Sequence, residues 1–239
     1  MEHGGAGVHA LSPLTTLLRD SEAILFDFDG PVCALFAGHP SIRVADELRG
    51  LLTSHGTNVP EPVASTADPL EILRWTGVNR PDLLAQVEQS QISNEVAAAE
   101  SATPAPGGRE AIEAASQSGR SVSIVSNNSA AAIKVYLDRH GLADHVAAVV
   151  GRAPGYPERM KPESDPLVRA SSELGISLAA CVLIGDSPTD IEAAHKAGVA
   201  SIGYAKRPSR FSELADAGAD VVVGSMIEVA DTLRPTSGF

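Results

Sequence analysis

The 239-residue sequence is poor in cysteine, with only Cys33 and Cys181, far apart and in no metal-ligand spacing. That scarcity excludes a disulfide-stapled scaffold and a cysteine metal cluster, and it fits a reducing compartment. Long apolar runs are missing too, and none approaches the ~20 residues of a membrane-spanning helix. The first twenty residues hold no apolar core of about 7–15 residues, so no signal peptide is expected and the expected location is cytoplasmic. Positive charge is short: Lys+Arg 18 against Asp+Glu 30 leaves a net charge of −12. An acidic surface disfavours nucleic-acid and membrane-surface partners, yet it leaves room for a small anion in a locally positive pocket. Lysine is the scarcest charge, with Lys134, Lys161, Lys196 and Lys206 standing against fourteen arginines.

With 44% hydrophobic and 20% charged residues, the composition supports a sizeable core and argues against disorder. Short apolar runs at 23–26, 122–125, 146–150, 181–184, 199–202 and 221–223 each lead into a turn. Runs without polar alternation predict strands buried on both faces. Between them Ala130, Ile133 and Leu137, then Leu167, Ala170 and Leu174, recur at helical spacing. The alternation predicts an α/β fold with a doubly wound parallel sheet. Residues 33–105 break the pattern: no strand is predicted there, only helix-like segments near 41–54, 68–77 and 81–101. The stretch reads as a helical insertion closing at Thr103-Pro104-Ala105-Pro106-Gly107-Gly108, a linker composition. The chain through about Gly7 is expected to be mobile, and residues 234–239 to fray.

Ligands of such sheets bind beyond the carboxyl ends of the strands. Four sets of residues fall there: Asp27-Phe28-Asp29-Gly30, Ser126-Asn127-Asn128-Ser129, Lys161-Pro162 at the start of a helical segment, and Gly185-Asp186-Ser187-Pro188-Thr189-Asp190. Each alone has a local explanation. Asp and Gly favour turns, Ser129 and Ser187 suit helix N-caps, and a lone lysine suits a surface. Together they place Asp27, Asp29 and Asp186 at one sheet edge, where three carboxylates repel unless compensated. A hard divalent cation such as Mg²⁺ compensates them. With a serine hydroxyl and a lysine added, the set suits an anion with several oxygens, as phosphoryl transfer requires.

In these four ordered motifs the sequence resembles the haloacid dehalogenase-like hydrolases, and its helical insertion is similar to the cap of their phosphoglycolate-phosphatase-like branch. The resemblance implies a Rossmann-like α/β core over residues 1–32 and 106–239, with a helical cap over 33–105. It implies Asp27 as nucleophile and Asp29 as general acid and base. Ser126, Asn127 through its backbone N–H, and Lys161 would bind the phosphoryl oxygens. Mg²⁺ would be held by Asp27, the Asp29 carbonyl and Asp186, with Asp190 as an outer partner. The implied function is a Mg²⁺-dependent phosphatase acting on a small phosphorylated metabolite through an aspartyl-phosphate. A phosphomutase and a non-catalytic phosphate-binding or regulatory module are the alternatives.

The first motif departs from the usual Gly-Thr-Leu or Gly-Val-Ile by reading Gly30-Pro31-Val32. Proline brings neither a hydroxyl nor a backbone donor, and no particular substrate follows from the resemblance. His39 is expected to be solvated or helix-capping, and Cys33 has no neighbouring base to make it a nucleophile. Of the cap arginines Arg43, Arg49, Arg74 and Arg80, most are expected to be surface charges, and one could read a second anionic group. Trp75 is expected in the cap core.

Overall fold

The computed structural model describes residues 11–234. The N-terminal stretch expected to be mobile, and residues 235–239 of the expected frayed end, lie outside the described residues. Chain order begins α1 (Pro13–Asp20), β1 (Ala23–Phe26), β2 (Cys33–Ala34), α2 (Ser41–Ser54), α3 (Pro69–Asn79) and α4 (Leu84–Glu100). It goes on through β3 (Thr103–Pro104), α5 (Gly108–Gln117), β4 (Ser121–Val125), α6 (Ala130–Arg139), β5 (Ala148–Val150) and α7 (Asp165–Leu174). It ends β6 (Cys181–Gly185), α8 (Pro188–Ala197), β7 (Ala200–Tyr204), α9 (Pro208–Asp216), β8 (Val221–Val223) and α10 (Met226–Leu233).

Six strands form one parallel sheet in the spatial order β5-β4-β1-β6-β7-β8, the α/β arrangement the alternation predicts. The absence of polar alternation in β1 has a direct cause. Ile24 and Phe26 enter a buried cluster with Val122, Ile124, Val182 and Ile184 on one face. Ala23 and Leu25 enter a second cluster with Val125, Leu167 and Leu183 on the other. Burial of both faces leaves no register for a polar residue. The strand predicted at 199–202 lies slightly later, because Val199 closes helix α8: its N–H donates to Ala194 O after Gly198 turns left-handed. The 146–150 strand begins only at Ala148, since a 3₁₀ turn over Ala143–His145 uses up the preceding chain.

β1 pairs with β4 on one side and β6 on the other. The chain first moves outward through β4 and β5, then crosses back over β1 to β6. This is the topological switch point at which open α/β sheets leave a crevice.

Helices α2, α3 and α4 stand over that crevice and share a buried cluster of their own, including Val44, Leu48, Leu52, Ile72, Leu73 and Val87. Trp75 packs against it, as expected. The chain enters and leaves this helical unit through a short antiparallel ribbon, with Cys33 opposite Pro104 and Ala34 opposite Thr103. No strand was predicted between 33 and 105, because two-residue strands carry no periodicity. α4 starts at Leu84 rather than near 81, since the chain at Pro81 still turns, with Leu83 N–H donating to Arg80 O.

α4 belongs to both units. Val87 sits in the cap cluster, while Ala98 and Ala99 join the core cluster with Phe28 and Ile112. Its buried face also carries Glu88, Gln91 and Glu95. Arg152, in the loop after β5 and 5% exposed, answers both acids: its Nε lies 3.0 Å from Glu88 Oε1 and its Nη1 2.9 Å from Glu95 Oε1. The same Nη1 donates to Asn127 O, and Glu95 Oε2 accepts from Ser129 N–H at 2.8 Å. This buried cluster ties the cap helix to the loop after β4. Among the described residues no helix is long and apolar enough to cross a membrane.

Removing the guanidinium while keeping its bulk leaves two buried carboxylates unpaired. Arg152→Met is expected to cost about 3–5 kcal/mol in urea unfolding; an unchanged midpoint would contradict this role.

Candidate active site

The loops after β1, β4 and β6 meet at the crevice. Asp27 continues β1 by one residue, its N–H donating to Ile184 O at 2.8 Å. The chain then turns sharply, and Phe28 O accepts from the N–H groups of Val32 and Cys33. Asp29 is held within this turn, its Oδ1 accepting from Leu35 N–H at 3.0 Å. Gly30 adopts φ +142°, and a Cβ there would stand 2.4–2.5 Å from the Asp186 carboxylate. Only glycine fits both the backbone and the approach.

After β4, Ser126 N–H donates to Val150 O at 2.9 Å. Its hydroxyl donates to Asn128 Oδ1 at 3.1 Å and accepts from Asn128 N–H at 3.2 Å. Ser129 caps α6. After β6, Asp186 precedes a capping box in which Ser187 and Asp190 satisfy each other's backbone, with Pro188 in the first turn, as the sequence indicates.

Lys161 lies in a turn ahead of α7 rather than at its start. The Asn127 side chain clamps its backbone, donating through Nδ2 to Lys161 O at 3.0 Å and accepting from Lys161 N–H at 2.8 Å. Arg74 of α3 donates to the same carbonyl at 3.0 Å. Lys161 is 2% exposed, and its ammonium meets three acceptors: Asp27 Oδ1 at 2.7 Å, Asp190 Oδ1 at 2.6 Å and Val125 O at 3.0 Å. Three protons and three acceptors saturate it.

Burial opposes the Lys161 charge, but the Asp190 and Asp27 carboxylates outweigh it and hold its pKa above the usual lysine range. One ammonium does not balance this many acids. Burial and the Asp190 carboxylate therefore push Asp27 up to about 8, against the pull of Lys161. Burial also raises Asp186, opposed by Lys206 at 2.9 Å, and raises Asp29, opposed by the Leu35 N–H. Raising a carboxyl by burial is the direction a proton-donating acid needs.

Oxygens of Asp27, Asp186 and Asp190 lie within 4.8 Å of one another, a cluster able to hold a cation. The donors are oxygen only, which suits a hard divalent ion rather than zinc. Asp29 contributes no carboxylate to this cluster; its side chain is engaged at Leu35. Asp190, read from the sequence as an outer partner, comes within reach of the cluster, with one oxygen on Lys161 and the other on Ser187. Among the described residues the Asn127 N–H has no protein acceptor. Above these groups lies a cavity of about 470 Å³ bounded by the core loops and the cap.

His39 bonds Asn94 of α4 at 2.9 Å and stays off the cavity. Arg49 is spent on Asp46 and the Thr66 carbonyl, and Arg80 on Asp82 and Thr57. Burial pushes the Cys33 thiol far up, so it stays protonated. The sequence did not signal Glu95, Arg152, Lys206 or Arg210. Each acts across a separation that no local pattern spans, as when Arg210 donates to Asp186 O.

A family model described as haloacid dehalogenase-like hydrolase matches residues 64–204. The chain belongs to that family. The match takes in Ser126, Lys161 and Asp186 but starts after Asp27 and Asp29, which the geometry alone joins to them. The chain is 32% identical over 117 residues to a phosphoglycolate phosphatase of Neisseria meningitidis, covering 48% of this chain and 49% of that protein. It is 35% identical over 96 residues to a phosphoglycolate phosphatase of Chromobacterium violaceum, covering 39% and 40%. The chain thus spans about half the length, or less, of these curated relatives. Its fold resembles CbbY from Rhodobacter sphaeroides in complex with xylulose-1,5-bisphosphate, with a TM-score of 0.67, 20% identity, and coverage of 90% of this chain and 100% of that one.

Gly30→Ala should cost at least about 1–3 kcal/mol through strain at this φ, before any displacement of Asp186. Gly50→Ala, inside α2 with no atom within 4 Å of the new Cβ, should instead stabilise by about 0.5–1 kcal/mol. Paired urea unfolding curves check both, and equal effects would contradict the contact at Gly30.

Proposed function

We propose that the chain is a Mg²⁺-dependent phosphatase that hydrolyses a small phosphate monoester through a phosphorylated Asp27. The observation that carries this reading is the saturated Lys161 ammonium between Asp27 and Asp190, beneath a capped cavity. A carboxylate oxygen is thereby aimed from the end of β1 beside a fixed positive charge.

In the first step an Asp27 oxygen attacks phosphorus as the bond from phosphorus to the leaving oxygen breaks. The leaving oxygen takes the Asp29 proton, and burial, by raising the Asp29 pKa, works in the direction a proton donor needs. In the second step Asp29 takes a proton from water. The water oxygen bonds to phosphorus, and the Asp27 carboxylate departs. The free Asn127 N–H is a donor for the phosphoryl oxygens, the Ser126 hydroxyl joins it by turning from Asn128 Oδ1, and Lys161 lends its positive charge beside them while its protons stay on Asp27, Asp190 and the Val125 carbonyl; Asn127 sets the height of Lys161 by clamping its backbone. Asp27, Asp186 and the Asp29 carbonyl are the groups that would hold Mg²⁺, with Asp190 fixing Lys161 behind them. Bound there, the ion supplies charge neutralisation for the phosphoryl group. The cap keeps bulk water from the phosphorylated carboxylate.

Aryl phosphate turnover is expected to require Mg²⁺, to disappear on chelation and in Asp27→Asn, and to fall by about 10²–10⁴ in Asp29→Asn. Turnover surviving in Asp27→Asn would contradict the mechanism. Because Asp27 without the ion holds its proton toward pH 8, binding Mg²⁺ should expel a proton. The affinity should therefore rise with pH through neutrality. Calorimetry in buffers of different ionisation enthalpy measures the release, and a pH-independent affinity would contradict it.

A further inference from the structure

Two lysines reach the acidic cluster, and they differ in freedom. Lys161 is buried, and its three protons meet Asp27, Asp190 and the Val125 carbonyl. Lys206 comes from the loop after β7, two residues past Tyr204. Its side chain is 39% exposed, and among the described residues its ammonium makes one ion pair, with Asp186 Oδ2 at 2.9 Å. It lines a cavity of about 310 Å³ with Asp186, Tyr204, Arg207, Ser209 and Arg210. One cation is locked between three acceptors; the other is held by one contact beside open space. The Lys206 charge also reaches past that contact. Burial raises both Asp186 and Asp29, and Lys206 opposes it at each.

Asp186 does not need Lys206 to keep its place. Its carboxylate packs against Gly30, where a Cβ would come within 2.4–2.5 Å of it. Its carbonyl accepts from Arg210 Nη2 at 3.1 Å, and the next residue, Ser187, caps α8. The Lys206 contact is thus added to a carboxylate already fixed by its own loop. Asp186 is also one of the three acids, with Asp27 and Asp190, whose oxygens lie within 4.8 Å of one another. A divalent cation at that cluster would share Asp186 with an ammonium, and two cations on one carboxylate repel strongly at short range.

We infer that Lys206 and the divalent cation compete for Asp186, so that Lys206 sets the cation affinity of the site below what its carboxylates alone would give. This rests on the cation reading of the cluster made above. Lys206 is neither a ligand nor a catalytic residue; it acts on the ion through Asp186. Lys161 cannot take that part, because a buried ammonium pulled from its acceptors is left stranded. Lys206 has a flexible four-carbon stem and room to draw back, with the Tyr204 ring 6.0 Å from its Nζ. Arg207 and Arg210 line the same cavity and resist that retreat, which adds to the competition.

Calorimetric titration of the full chain with Mg²⁺ at low ionic strength tests this, using the unsubstituted protein, Lys206→Met, Lys206→Arg and Arg207→Met. Lys206→Met keeps much of the stem without the charge and should bind Mg²⁺ about tenfold more tightly. Lys206→Arg, which restores a cation, should return the affinity to within about threefold of the unsubstituted protein. Arg207→Met removes a charge from the same cavity that is not paired with Asp186, and should tighten binding by less than about threefold. Unchanged or weaker binding in Lys206→Met overturns the inference, and so does an equal gain in Arg207→Met. If the unsubstituted protein binds Mg²⁺ and Lys206→Met shows no gain, the competition fails while the cation reading stands. Binding by Lys206→Met where the unsubstituted protein shows none supports both. No binding by any of the four proteins defeats the cation reading, and the competition with it.

Discussion

One buried ammonium organises the site. Lys161 is almost fully buried and is held by two carboxylates and a carbonyl, so moving any partner leaves a charge stranded in a poorly solvated interior. The partners come from three strand ends: Asp27 after β1, Val125 at the end of β4 and Asp190 in the first turn of α8 after β6. Each is therefore set by the sheet itself. The positions of β1, β4 and β6 as neighbours become a constraint on where the Asp27 carboxylate points, which is how a hydrophobic sheet comes to arrange polar groups. The acidic excess around Lys161 leaves an oxygen-only cluster able to hold a hard divalent cation.

The cap does more than cover the crevice. α4 runs from the cap cluster into the core cluster, and along the way its Glu88 and Glu95 engage Arg152 while Gln91 lines the cavity. Glu95 also accepts the Ser129 N–H in the loop that carries Ser126 and Asn127. One helix face thus supports the loop after β4 and contributes to the cavity wall. Through Arg74 on the Lys161 carbonyl, α3 makes a second tie between cap and core.

The residues legible in the sequence share a feature: each follows an apolar run whose burial on both faces marks it as a strand of a covered sheet. Asp27, Ser126 and Asp186 could be placed at one edge because the strand ends themselves could be read. Ser187 and Asp190 were legible as a capping box because that signal is local. What escaped had the opposite character. The buried face of α4 is largely polar at Glu88, Gln91 and Glu95, where a hydrophobic stripe is the usual mark of burial. Arg152, the partner of Glu88 and Glu95, lies far along the chain, and a two-residue ribbon such as β2–β3 leaves no period to find. Lys161 was legible as a lone lysine in the right region. The clamp that positions it, through Asn127 and Arg74, exists only in three dimensions.

The central claim is that Asp27 becomes phosphorylated during turnover. Acid quenching of the Mg²⁺-loaded protein in mid-turnover, followed by peptide mass mapping, tests it most directly. The account predicts a phosphoryl group on the peptide carrying Asp27, located on that side chain and absent in Asp27→Asn. Phosphoryl transfer to Asp29 or Asp186 instead, or turnover with no phosphorylated carboxylate at any quench time, would contradict it.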